Sequence, residues 1–198
     1  MQKRLKIFTY CLWSVALFLG VVPALEATMV RPLSLQEVAG RAERIFLGQV
    51  IEVKEGGDEY GAPVTYITFA VSQSLKGEVS QKLTIKQLGG HSGGGKILRI
   101  PGLPSYREGE VVVLFLHGTS GGGFTSPVGL GQGKYAVVRQ GTKALVINEL
   151  SNRGVKGPSQ SYGDVPPSIR SQKLSERGGP MELNEFLSTV ERLVRPSR

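Results

Sequence analysis

Two glycine-rich stretches carry spellings associated with chemistry. The first is Gly90-His91-Ser92-Gly93-Gly94-Gly95-Lys96, which contains the G-x-x-x-x-G-K core of a phosphate-cradling loop. Such a loop works because backbone N–H groups and a following helix N-terminus face the phosphates, while a Ser or Thr after the lysine holds magnesium. Here Ile97 stands where that hydroxyl belongs, and Ile97-Leu98-Arg99-Ile100-Pro101 ends on a proline that opposes a helix. No nucleotide is expected. The second stretch, Gly118-Thr119-Ser120-Gly121-Gly122, spells G-x-S-x-G. A nucleophile elbow needs a strand before it and a helix after it. Val111 to His117 supplies the strand, but Gly123-Phe124-Thr125-Ser126-Pro127 supplies no helix. Both histidines, His91 and His117, precede Ser120, and Asp58 and Asp164 lie outside the His91–Ser120 interval. Glu108 and Glu110 fall inside it, but that interval is too short to hold a two-barrel protease. No catalytic set assembles, so the chain reads as non-enzymatic. Two histidines without H-x-x-x-H spacing leave no metal centre in prospect; His91 reads as a solvated loop residue and His117 as a turn residue. No cofactor is expected.

The N-terminus addresses compartment. Lys3, Arg4 and Lys6 precede an uncharged run over residues 7–22, and Pro23-Ala24-Leu25-Glu26-Ala27 follows. Basic start, short apolar core and small-residue exit are the parts of a secretory signal peptide, here over residues 1–27, with cleavage after Ala27 or Ala24. A bilayer core requires roughly 20 apolar residues, and this run is shorter. The expected location is extracytoplasmic, periplasmic or secreted, with membrane contact only through an uncleaved signal. Cys11, the single cysteine, lies inside that leader. The exported chain therefore has neither disulfides nor thiolate metal sites, and must rely on its core. Its cation excess is not gathered into Lys/Arg runs, so no specific nucleic-acid binding is expected.

The remaining pattern predicts what positions these loops. Ser34-Leu35-Gln36-Glu37 is a capping box opening a short helix over residues 35–44. Strand signals then follow closely. Ile45, Leu47, Ile51 and Val53 alternate, Val64 to Val71 places Ile67, Phe69 and Val71 on one face, and Leu83 alternates with Ile85. Val111 to Leu116 is continuously apolar, as a strand buried on both faces would be. Tyr135 to Val138 and Ala144 to Ile147 flank a hairpin turn at Gln140-Gly141-Thr142-Lys143. Short strands between Gly/Pro loops predict an all-β fold, an antiparallel barrel or sandwich over residues 28–150 whose strand set is complete by Ile147. Residues 151–180, rich in Ser, Gly and Pro, read as a flexible linker. Leu183, Phe186, Leu187, Val190, Leu193 and Val194 then mark one face of an amphipathic helix over residues 181–195, tethered and docking either on its own domain or on a partner.

Ser34-Leu35 with Glu37, Gly48, Leu75-Lys76-Gly77, Gly89-Gly90, Gly102-Leu103-Pro104, Gly109-Glu110 and Gly129-Leu130-Gly131-Gln132-Gly133-Lys134-Tyr135 occur in order over residues 34–148. This pattern resembles a family of uncharacterised exported bacterial proteins with an OB-like barrel similar to the inhibitory domain of tissue inhibitors of metalloproteinases, the netrin-like fold. The resemblance implies the barrel and raises regulation or inhibition of an exported metalloprotease as an alternative function. Those inhibitors chelate zinc with an N-terminal cysteine, and this chain has none after the leader. The glycines also have a structural account: Gly77 and Gly109 where turns need positive φ, and Gly129, Gly131 and Gly133 where a strand bends or a backbone approaches. The leading expectation is an exported binding module for a protein or extended polymer. Its rim would comprise residues 89–99, 101–108 and 118–134, with Lys96, Arg99, Tyr106, Gln132 and Lys134 as contacts.

Overall fold

The computed structural model describes residues 31–93, 95–152 and 179–195. The leader and its cleavage sites lie outside these, as do residues 153–178 of the expected linker. The chain divides into two compact units, residues 1–31 and 32–198, and among the described residues every helix and strand belongs to the second. Helix α1, Leu35–Arg41, starts as its capping box dictates. The Glu37 N–H donates to Ser34 Oγ (3.2 Å), and the Ser34 N–H donates to Glu37 Oε2 (2.9 Å). It stops three residues before the sequence suggests, because Ala42 is already extended. Lys76 Nζ donates to the Ala39 carbonyl (2.9 Å), satisfying one of the end groups.

Nine strands come after this helix. They are β1 (Arg44–Gly57), β2 (Pro63–Lys76), β3 (Lys82–Leu88), β4 (Gly90–His91), β5 (Ile97–Leu98), β6 (Val111–Leu116), β7 (Lys134–Gln140), β8 (Lys143–Asn148) and β9 (Met181–Glu182). Seven form one antiparallel sheet in the order β3-β2-β1-β6-β7-β8-β9, and β4 pairs with β5 separately. The all-β antiparallel class and both flanking helices are therefore present. A closed barrel is not: the ladder ends at β3 and β9, and no sheet closes on itself. The seam between β6 and β3 is spanned by an irregular segment, with Leu116 bridging Pro127 and Lys86 bridging Phe124. The Val128 N–H donates to the Phe115 carbonyl (2.9 Å) and the Thr125 N–H to the Lys86 carbonyl (3.0 Å). Where a closing strand would lie, a Gly/Ser/Thr-rich loop runs instead, with the His117 N–H donating to the Ser126 carbonyl (3.0 Å) and Thr125 Oγ1 to the His117 carbonyl (2.8 Å).

Strand β6 is buried on both faces, as its unbroken apolar run requires. Val112, Leu114 and Leu116 join Phe46, Val50, Ile67, Phe69 and Ile85 in one core, while Val113 and Phe115 enter a second with Ile45, Tyr135 and both helices. Pairing of β1 with β2 shifts register three times: Leu75 and Ser72 are the extra residues on β2, and Ile51 is the extra residue on β1. The simple alternation along β1 therefore holds to Val50 and fails at Ile51, where the inward parity reverses so that Val53 rejoins the core of Phe46 and Val50. Ile51 consequently has no partner on β2 and is 44% exposed, while Val50 is buried. Gly77 (φ 71°) and Gly109 (φ 83°) do occupy left-handed turns. The 129–133 glycines serve a 3-10 turn over Leu130–Gly133 rather than a bent strand. A Cβ on Gly133 would come within 2.5 Å of the Val128 carbonyl oxygen, so the close backbone approach is real.

The C-terminal region belongs to this sheet. Asn152 Nδ2 donates to the carbonyls of Val146 (2.9 Å) and Gly179 (2.8 Å), and the Gly179 N–H donates to the Ser151 carbonyl (2.7 Å). The chain thus leaves after Asn152 and returns at Gly179 beside its point of departure. Met181 and Glu182 then pair with Val146 and Leu145, adding β9 to the sheet edge. Helix α2, Leu183–Val194, buries Phe186, Leu187 and Val190, and Phe186 packs against Tyr135 and Phe115 with ring centroids 4.6 and 6.2 Å apart. Of the two docking alternatives, the helix takes its own domain. The domain consequently extends beyond residue 150, because Ile147 does not complete the strand set.

Candidate functional site

One end of the sheet collects exposed groups of the kind that contact partners. It is built by the β1–β2 hairpin tip and the small β4–β5 hairpin. At the tip, Asp58 Oδ1 accepts from the N–H groups of Tyr60 (3.0 Å) and Ala62 (2.8 Å), while the Asp58 N–H donates to the Ala62 carbonyl (2.9 Å). This carboxylate ties the loop back on itself, as aspartate in turns does. Its other oxygen faces Lys86 Nζ at 3.5 Å. The Ala62 N–H bond, helped by Tyr60 and Lys86 and opposed by desolvation, holds the Asp58 carboxyl below its ordinary value. With the loop so fixed, Tyr60 projects outward and is 86% exposed.

Beside it lies the β4–β5 hairpin. Glu55 and Thr65 are directly opposed across β1 and β2, which puts them on one face. Thr65 Oγ1 donates to the Gly89 carbonyl (2.7 Å), and Glu55 Oε2 accepts from the His91 N–H (3.2 Å) and also meets His91 Nδ1. A cross-strand pair of the first hairpin therefore anchors the second. Gly90 lies so close that a Cβ there would sit 2.6 Å from Thr65 Oγ1. Ile97 on β5 is 59% exposed, Lys96 and Arg99 near it in sequence are exposed, and Leu88 at the end of β3 is exposed as well. Nearby acids Glu55 and Asp58 already face His91 and Lys86. Exposed Lys54, Lys96 and Arg99 stand against exposed Glu55 and Glu59, so this end carries apolar groups with a slight excess of cations.

The five residues singled out from sequence separate into two sets. Lys96 and Arg99 are exposed at this end. Tyr106, Gln132 and Lys134 are buried, which corrects their assignment as rim contacts. Tyr106 caps the β1/β2/β3/β6 core edge-on to Phe69, at 5.7 Å between centroids. Lys134 Nζ lies 4.6 Å from the Tyr106 ring centroid, donates to the Ser105 carbonyl (2.5 Å) and pairs with Glu110 (2.8 Å). Burial, reinforced by the Glu110 and Glu149 carboxylates, pushes the Tyr106 phenol up, so it stays neutral. Gln132 Oε1 accepts from the Leu33 N–H (2.6 Å) and its carbonyl accepts from Asn148 Nδ2 (3.4 Å), tying the start of the domain to β8. These three hold loops to the core. His91, through its N–H and ring nitrogen, anchors its hairpin to Glu55 rather than standing merely solvated.

The two suggestive spellings also find their places. Lys96 is followed by β5, so a strand rather than a helix N-terminus adjoins the Gly90–Lys96 loop. Ser120 Oγ accepts from the Phe124 N–H (3.1 Å) and shapes a turn. Among the described residues, no three His, Cys, Asp or Glu side chains are grouped to hold a metal ion, and no helix is long and apolar enough to cross a membrane. Sequence reasoning missed Tyr60, Leu88, Glu55 and Ile97. Tyr60 had one available signal, an aromatic between Asp-Glu and Gly where a hairpin must turn. Comparison with models of known families and with curated proteins matched the chain to none.

Proposed function

We propose that this chain is an exported, non-enzymatic binding module that engages a protein or extended polymer through the paired tips of its β1–β2 and β4–β5 hairpins. One observation carries the reading. Tyr60 and Ile97 stand exposed on two hairpins that are fixed to each other and that also carry exposed Lys54, Lys96 and Arg99. Rigid presentation of this kind lowers the ordering cost of association, and aromatic residues with cations are the side chains that most often anchor interfaces. The surface suits a partner offering apolar groups beside acidic ones. The test is affinity capture from cell-envelope material with the exported chain and with a Lys96→Glu/Arg99→Glu double variant. Partners retained by the first and lost by the second support the reading; an identical set from both contradicts it. Assaying exported metalloproteases with and without the chain tests the narrower alternative, in which the partner is a protease and binding regulates it.

A further inference from the structure

The β1–β2 hairpin that carries this site has an open flank. Strand β1 pairs with β2 from Ile45 to Gly57, missing only Ile51, but with β6 only from Arg44 to Gln49. Beyond that point the chain preceding β6 turns away. The Val50 N–H donates to the Glu110 carbonyl and the Gly109 N–H donates to the Val50 carbonyl, both at 2.8 Å, and the Glu110 N–H closes a turn on the Arg107 carbonyl (3.1 Å). From Ile51 to Gly57, no described residue offers a backbone partner on the β6 side. Backbone direction alternates along an antiparallel ladder. The Val53 N–H points away from β2, since a side chain, Glu108 Oε1, accepts from it at 3.3 Å. Val53, Glu55 and Gly57 therefore direct their N–H and C=O groups outward. Such an unpaired row is a template for another strand.

We infer that this flank accepts an extended segment of a partner polypeptide, which adds as a strand antiparallel to β1 in line with β6. The inference rests on the binding-module reading and specifies its partner. Three observations favour this occupant. The vacancy continues an existing strand–strand interface, the geometry by which peptides augment exposed sheets. Ile51, the unpaired residue of the bulge, stands 44% exposed at its entrance and offers apolar contact. Glu108 takes the Val53 N–H in the manner of a substitute acceptor and, being exposed, is displaced at small cost. The selected segment is expected to be extended, free of proline and apolar opposite Ile51.

The test uses the exported chain and a displayed library of random peptides of about ten residues, long enough to cover this row at roughly 3.3 Å per residue. Selected peptides should slow amide exchange at Val53, Glu55 and Gly57 and lose binding on N-methylation of alternate residues. Ile51→Lys should weaken them at least tenfold without lowering the melting temperature. Glu108→Ala should tighten them roughly twofold to tenfold, the scale of one exchanged hydrogen bond, whereas simple attraction of basic peptides to Glu108 would give the reverse. Failure to select any peptide, insensitivity to Ile51→Lys, or weakening by Glu108→Ala overturns the inference. Self-association of the chain that Ile51→Lys abolishes also overturns it, because the occupant is then a second copy. If envelope partners remain sensitive to Lys96→Glu/Arg99→Glu while no peptide binds β1, this inference fails and the binding-module reading stands.

Discussion

Ending the chain at Leu150 removes β9 and α2 and tests whether the domain folds without them. The truncation takes away Met181, Phe186, Leu187 and Val190, all buried, and uncovers Phe115, Tyr135 and Val146 beneath them. Each large apolar side chain withdrawn from water is worth about 1.5–3 kcal/mol, so these four represent roughly 6–12 kcal/mol of burial. Ordering the removed residues costs backbone entropy at least as large, which their own hydrogen bonding and packing must offset. The loss felt by the remaining chain is therefore the exposure of Phe115, Tyr135 and Val146, roughly 4.5–9 kcal/mol at the same rate per side chain. What decides the outcome is that total stability is only about 5–15 kcal/mol. Losing this layer should exhaust it. A urea melt of the truncated chain, followed by far-UV dichroism, should show no cooperative transition. The control is an internal deletion of residues 153–178 with Asn152 rejoined to Gly179 through a short Gly/Ser link. The Gly179 N–H already lies 2.7 Å from the Ser151 carbonyl oxygen, so this deletion should melt within about 1 kcal/mol of the full chain. A cooperative melt of the chain ending at Leu150 would refute the reasoning.

Three further outcomes are expected. Asp58 has a lowered folded pKa, so its contribution is present above the unfolded value of about 3.9 and is lost as pH falls through the folded one. Urea midpoints at pH 7 and pH 3 should therefore converge more for Asp58→Asn than for the parent chain, and equal acid sensitivity would contradict this. Lys134→Ala leaves Glu110 without its cation and should cost about 3 kcal/mol, at the lower end for breaking a buried pair because Glu110 is partly exposed, whereas Lys134→Met with Glu110→Gln should recover most of the loss in the same melt. Mass spectrometry of the exported protein should find an N-terminus near Thr28 or Leu25; an intact Met1 on a membrane-bound product would count against export by cleavage.

Much of the fold is legible because its signals are local. Ser34 and Glu37 define the start of α1 within four residues, and the apolar run at Val111–Leu116 declares a strand buried on both faces. Gly141 likewise marks the β7–β8 turn. What sequence leaves hidden depends on contacts between distant segments. A bulge at Ile51 has no compositional mark, since its neighbours are ordinary strand residues and only pairing with β2 shows the missing partner. Met181 and Glu182 form a strand too short for any periodicity, so their place at the sheet edge is invisible in the sequence. Tyr106, Gln132 and Lys134 read as rim contacts because polar residues in Gly/Pro loops are ordinarily exposed. In this fold those loops turn back onto the core, where Lys134 meets a carbonyl, a carboxylate and a ring and Gln132 meets an N–H group, while the Tyr106 hydroxyl is buried with no hydrogen-bond partner among the described residues. The candidate site is legible only as Lys96 and Arg99, since the anchoring of the β4–β5 hairpin, which carries exposed Ile97, on the hairpin that carries exposed Tyr60 follows from Glu55 and Thr65 being opposed across strands.

The central claim is that a partner docks on the two hairpin tips. The most direct measurement is amide hydrogen exchange of the exported chain, alone and with a partner recovered by affinity capture. The account predicts slowed exchange at Asp58 to Ala62 and at Lys96 to Arg99, with α1 and α2 unchanged. Protection confined to the helices or to the 118–134 loop, with both hairpin tips exchanging as in the free chain, would contradict it.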